Sequence, residues 1–110
     1  MSDAQPQPAQ SYEHVHRIMP KYGVWTNKDN VVIQIALPGV KKEDIEIKAL
    51  PDYFMLRAAR ENANLVYNLD LEFGFKLEPE VHKATYEEGL LRVELKRYQP
   101  LEHAFEVKIE

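Results

Sequence analysis

The 110-residue sequence contains no cysteine. No disulfide, zinc–thiolate site or thiol nucleophile can form from it. Serine occurs only at Ser2 and Ser11, so no Ser or Cys nucleophile sits in the body of the chain. The four glycines, Gly23, Gly39, Gly74 and Gly89, are too scattered to build a phosphate-cradling loop. Positive charge is in deficit: 14 Lys+Arg against 18 Asp+Glu give a net charge of −4. Nucleic acid is not an expected partner, since phosphate binding favours clustered Lys and Arg. Long apolar runs are missing too. The longest stretch without a charged residue is Asn30–Val40, far short of the roughly 20 apolar residues of a membrane span. No signal-peptide pattern opens the sequence, so a cytoplasmic location with no membrane partner is expected. These absences remove much enzyme chemistry. No catalytic residue and no cofactor are expected, and a binding module remains.

What is present is a core. Apolar residues make up 45% of the chain, and the length suits one domain. Residues 1–19 read as a flexible N-terminal arm. Met1–Gln10 holds Pro6, Pro8 and three Gln with almost nothing apolar. Tyr12, Val15, Ile18 and Met19 then form either a sticky segment before Pro20 or a frayed terminus.

From Tyr22 onward the dominant signal is two-residue alternation, the period of a half-buried strand. Tyr22–Thr26 is a short strand candidate, and Val31–Leu37 is β-branched enough for a central one. Pro38–Gly39 is a turn, and Lys41–Asp44 a helical turn or polar loop. Asp44–Leu50 puts Ile45, Ile47 and Ala49 on one side and Glu46 and Lys48 on the other. Pro51–Asp52 breaks the pattern before another strand at Tyr53–Ala59. In Leu65–Leu77 every odd position is apolar (Leu65, Tyr67, Leu69, Leu71, Phe73, Phe75, Leu77). A helix, with its 3.6-residue period, does not produce that pattern. One unusually long strand is predicted there. Glu78–Pro79 ends it, and His82–Tyr86 with Leu90–Lys96 reads as a hairpin turning at Gly89. Residues 20–97 thus form an all-β, immunoglobulin-like β-sandwich of about seven to eight strands. Residues 98–110 are a C-terminal extension containing Pro100.

Other constellations carry little. His14-x-His16 has no third ligand at metal-site spacing, so no metal is expected. Trp25 is a packing residue or a stacking platform. Met55 is either core or an adaptable contact for apolar partners.

Residues 31–109 resemble the α-crystallin domain of small heat-shock proteins. Ala36-Leu37-Pro38-Gly39-Val40 with Glu43-Asp44-Ile45 looks like that family's strand–LPG–turn–strand passage. Phe54–Glu61 is similar to its strand ending in a basic–acidic pair, and Phe75-Lys76-Leu77 with Pro79 to its aromatic–basic–Leu–Pro element. Ala84–Leu91 fits the A-x-x-x-(N/D)-G-(V/I)-L signature, with Glu88 in place of Asn or Asp. Val107-Lys108-Ile109 looks like the terminal I-x-I/V anchor.

The resemblance implies an ATP-independent chaperone, a holdase that binds partly unfolded client proteins and prevents their aggregation. It implies a homodimer and higher homo-oligomers. Val107 and Ile109 would be the oligomer anchor. The tail-binding groove would be lined by Ile45, Ile47, Ala49, Val81 and Lys83. The dimer strand would carry Leu65, Tyr67, Leu69, Asp70, Leu71, Glu72 and Phe73, paired antiparallel with its symmetry mate. Phe73 stands where animal members place a dimer-interface arginine. Tyr12, Val15, Ile18 and Met19 would be the client-binding arm. The alternative is an adaptor module of the CS co-chaperone type that binds a folded partner.

Overall fold

A computed structural model describes residues 15–110. The strands are β1 (His16–Ile18), β2 (Tyr22–Thr26), β3 (Asn30–Ala36), β4 (Ile45–Leu50), β5 (Tyr53–Arg60), β6 (Leu65–Glu72), β7 (Leu77–Glu87) and β8 (Leu90–Arg97). They form two four-stranded sheets, ordered β1-β6-β5-β4 and β2-β3-β8-β7. There is no α-helix among the described residues, only short 3-10 turns. The expected all-β sandwich is the fold that forms.

Alternation explains the core. Val31, Ile33 and Ile35 of β3 pair with Leu95, Val93 and Leu91 of β8. All six are buried, because successive side chains of a strand face opposite sides. The other sheet answers with Phe54, Leu56 and Ala58 from β5 and Tyr67 and Leu69 from β6, also buried. The two inner faces exclude water from each other, the main favourable term in this fold.

The single long strand expected over Leu65–Leu77 is two strands. β6 stops at Glu72, and Leu77 already belongs to β7 in the opposite sheet. The chain turns this corner around the β4–β5 hairpin: the amide of Phe73 donates to the Asp52 carbonyl, and that of Leu77 to the Pro51 carbonyl. Phe73 and Phe75 keep the apolar parity because both pack on the shared core. Their rings stack 5.3 Å apart, and the Arg97 guanidinium lies 3.9 Å above Phe75. Phe73 is therefore a corner residue and lies outside β6, the strand expected to pair in a dimer.

Glu78–Pro79 does not end a strand. β7 passes through it, and the pairing with β8 shifts register between Leu77 and His82. Proline cannot donate to a ladder and is accommodated at such irregularities.

Nor is residue 19 the end of an unstructured arm, since His16–Ile18 lies parallel to Leu65–Tyr67 at the edge of β6. Tyr12 lies outside the described residues. At the other end, the 3-10 turn Pro100–His103 is tied back to the sandwich. The His103 ring stacks 4.8 Å from Tyr98, and its Nε2 lies 2.9 Å from Glu78 Oε2. Beyond Ala104 the chain has no regular structure.

Candidate functional site

Each sheet ends in an edge strand on either side. On one side of the sandwich these are β4 and β7. Between them lies a groove of about 170 Å³, lined by Lys42, Ile45, Ile47, Ala84, Thr85, Tyr86 and Leu91. Its floor is apolar because Ile45 and Ile47 face inward opposite Ala58 and Leu56 of β5. On the other wall, Ala84 and Tyr86 face inward opposite Val93 and Leu91 of β8. Lys42, in the 3-10 turn before β4, supplies a cation to the lining.

Tyr86 fixes the wall. Its hydroxyl oxygen lies 2.7 Å from the Val40 carbonyl oxygen and 2.8 Å from that of Leu37. One proton serves one carbonyl at a time, so the phenol acts as a shared donor. Leu37 and Val40 are buried, and their carbonyls need such partners. Burial pushes the Tyr86 phenol above its usual range, and Tyr67 adds to the shift. The O–H therefore remains a donor through neutral pH.

The structure sorts the predicted groove residues. Ile45 and Ile47 line the groove. Ala49 continues the same face, opposite Phe54, at the exposed end of β4. The side chain of Val81 lies outside the described part of the structure. Lys83 is a correction. It stands on the opposite face of β7 from Ala84 and Tyr86, and its Nζ lies 3.6 Å from Glu94 Oε1. The register shift accounts for this: Leu77 is an odd, buried residue, whereas after the shift the even residues Ala84 and Tyr86 face inward. Between the Leu77 and His82 pairs β7 advances five residues and β8 two, and the odd excess of three reverses the parity. Ala84, Tyr86 and Leu91 were missing from the expected lining. The two-residue turn Glu88–Gly89 was the available signal, because counting back from the pair Glu87↔Leu90 gives Tyr86 and Ala84 the parity of Leu91 and Val93.

The other candidate surface is the free edge of β6. Tyr67 and Leu69 point into the core, with Leu65 and Leu71 half-buried beside it. β1 occupies the edge at Leu65–Tyr67, leaving Asn68–Glu72 without a neighbour on that side among the described residues. Asp70 is engaged within the chain: its carboxylate accepts two bonds from Arg57, at 2.8 and 3.2 Å. The hydrogen bond from Arg57 holds the Asp70 carboxyl below its ordinary range. Glu72 is exposed at the end of the strand. Of the arm, Ile18 and Met19 are exposed and flank a second cavity of about 350 Å³ lined also by Pro20, Ala36 and Tyr67. Val15 is half-buried.

The tail is not on its own groove. Val107 is 85% exposed and Ile109 98%. Phe105, two residues before Val107, is 91% exposed. No cluster of three or more His, Asp or Glu that could hold a metal occurs among the described residues. Among the described residues no helix is long and apolar enough to cross a membrane.

Comparison with known proteins gives a consistent result. The profile of the Hsp20/alpha crystallin family matches residues 23–110. A "Probable 15 kDa heat shock protein" of Leptospira interrogans is 23% identical, over 89% of this chain and 85% of that one. Among solved structures, heat shock protein 16.0 from Schizosaccharomyces pombe superposes with a TM-score of 0.67 at 21% identity, covering 84% of this chain and 98% of that chain. A small heat-shock protein from Xylella fastidiosa gives 0.66 at 12% identity, covering 84% and 94%.

Proposed function

The chain belongs to the Hsp20/alpha crystallin family, and from that premise we propose that it is an ATP-independent holdase, a cytoplasmic chaperone that binds partly unfolded proteins and prevents their aggregation. The family is one of non-enzymatic chaperones, and the reading assigns this chain no catalysis. The observation that supports it best is the pairing of an open apolar groove between β4 and β7 with a tail whose Phe105, Val107 and Ile109 are almost wholly exposed. Large exposed apolar surface is the mark of an interaction site. The adaptor alternative is less favoured, since the family match runs through the tail to residue 110.

In this reading the tail of one subunit docks in the groove of another, and Ile18 and Met19 beside the second cavity contribute client-binding surface. The edge of β6 at Asn68–Glu72 forms the dimer contact with its symmetry mate. Two buried aliphatic side chains contribute about 3–6 kcal/mol gross, and ordering the tail takes back much of it. The docking is therefore weak and reversible, as a chaperone that must expose its surface requires.

An aggregation assay with a heat-labile client tests the activity. Light scattering of the client is expected to fall as this protein is added, without ATP. No protection at several-fold molar excess rejects the holdase reading. Deleting residues 105–110 is expected to reduce the light-scattering mass of the assembly and leave the circular dichroism unchanged. An unchanged mass rejects the docking.

A further inference from the structure

The tail and the groove wall share one spacing. Ile45, Ile47 and Ala49 repeat every second residue along β4 and face the core side. Phe105, Val107 and Ile109 repeat in the same way along the tail. In extended chain each repeat is about 6.8 Å, so three tail side chains match three wall positions. β4 is also the last strand of its sheet, with one edge of its backbone unpaired and open to strand addition.

The charges between these residues select the direction. Glu46 and Lys48 alternate with the wall residues on the solvent face, 3.4 Å apart. Glu106 and Lys108 alternate with the tail residues. Run parallel with Val107 on Ile47, the tail sets Glu106 against Glu46 and Lys108 against Lys48. Both are like-charge pairs, which destabilise a sheet. Run antiparallel with Val107 on Ile47, it sets Glu106 against Lys48 and Lys108 against Glu46, both attractive. Glu110 then falls opposite Asp44, with Lys42 lining the groove at that end.

A parallel register shifted by two also makes two attractive pairs, Lys108 with Glu46 and Glu110 with Lys48. It places Glu106 against Asp44, however, and pushes Phe105 past the end of β4. Only the antiparallel register seats all three apolar side chains and also makes both central charge pairs attractive. It also matches sizes, putting the largest, Phe105, on the smallest wall residue, Ala49.

Resting on the proposed docking of the tail, we infer that β4 receives the tail of a second copy as an antiparallel strand, with Phe105 on Ala49, Val107 on Ile47 and Ile109 on Ile45, and with Lys48–Glu106 and Glu46–Lys108 as register-setting pairs. Phe105 is then a third anchoring side chain, and the four charges are specificity determinants. A second copy is the occupant because the tail and groove of one chain are both open, and reciprocal docking closes both.

The absence of cysteine makes the test clean. Full-length single-cysteine variants are mixed and oxidised, and covalent dimers are counted. Lys48→Cys is expected to cross-link with Glu106→Cys well above its yield with Glu110→Cys, and Glu46→Cys to cross-link poorly with Glu106→Cys. Dominance of the 48–110 pair overturns the inference in favour of the shifted parallel register. Dominance of the 46–106 pair does so in favour of the in-phase parallel one. A Lys48→Cys/Glu106→Cys double variant that cross-links only within one chain overturns the second-copy assignment.

Charge reversal is the second arm. Glu106→Lys with Lys108→Glu is expected to weaken assembly about tenfold, from two cross-strand pairs turned repulsive. Adding Glu46→Lys and Lys48→Glu is expected to restore it, and failure of that rescue counts against the register. If deletion of residues 105–110 dissolves the assembly while the 48–106 pair stays unlinked, the docking survives and this register falls. If the deletion changes nothing, the docking itself falls.

Discussion

Tyr86→Phe separates the two roles given to that residue. The ring stays as the groove wall, and only the hydroxyl is lost. That hydroxyl spans 46 and 49 residues of sequence to reach Val40 and Leu37, so it ties β7 to the turn leading into β4. The carbonyls differ in what remains to them. Leu37 still accepts from the Val40 amide at 3.2 Å, whereas the carbonyl of Val40, a residue only 6% exposed, is left without its donor. An orphaned buried acceptor costs about 1–3 kcal/mol. For a domain of this size, each kcal/mol lowers Tm by about 4–8 °C. Urea unfolding at one fixed protein concentration is the assay, because assembly makes apparent stability concentration-dependent. The midpoint is expected to fall with an unchanged m-value, the signature of lost stability without a changed denatured state. The phenol is held above 10.0, so the loss is expected to be the same at every pH from 6 to 9 (roughly the range in which an unshifted phenol also keeps its proton). A loss below about 0.5 kcal/mol, small against the orphaned-acceptor cost, refutes the tie. So does a loss that varies across that pH range.

Glu88 holds a positive φ of 51°, beside Gly89 at 80°. Both central residues of this hairpin turn are left-handed, the geometry in which Asn-Gly is favoured. Glu88→Asn is expected to stabilise the domain by about 0.5–1 kcal/mol, and an unchanged or lower Tm contradicts this. Asp70 is held below its usual 3.8 by Arg57. A depressed carboxyl stabilises the fold above its unfolded-state value and ceases to as pH falls through the lower folded value. Asp70→Asn is therefore expected to flatten the acid limb of stability against pH, in low salt more than in high salt because the pair is partly exposed. Superimposable acid limbs for the two proteins rule out a contribution from the pair.

Strand existence was legible wherever one face meets the core. Val31, Ile33 and Ile35, Phe54 and Leu56, and Leu91, Val93 and Leu95 are all read from alternation and all buried. Alternation reports only which face a residue takes, not which sheet it joins. Leu65–Leu77 shows the consequence. Its parity is unbroken while the chain leaves one sheet for the other, because both inner faces share a core. The converse happened in β7, where the sheet is the same but the parity reverses between Leu77 and Ala84. Nothing local marks that reversal except Pro79, a residue that cannot complete a ladder. In the groove, Ile45 and Ile47 followed from their own strand, whereas Ala84 and Tyr86 required the hairpin register to be counted back from Glu88–Gly89.

The amino-acid order by itself determined the class of fold and the matched spacing of tail and wall. Both depend on which residues are apolar at a two-residue period, and a period is a property of sequence. It also determined the charges that set their direction, Glu46 and Lys48 against Glu106 and Lys108. Only the tertiary structure decided that a groove exists at all. β4 and β7 lie at the ends of different sheets, and a hollow forms there because no third layer covers them among the described residues. The structure also decided that Tyr86, 46 residues from Val40 in the chain, stiffens one wall of that hollow. Such a contact depends on how two sheets stack, and no local pattern encodes that stacking.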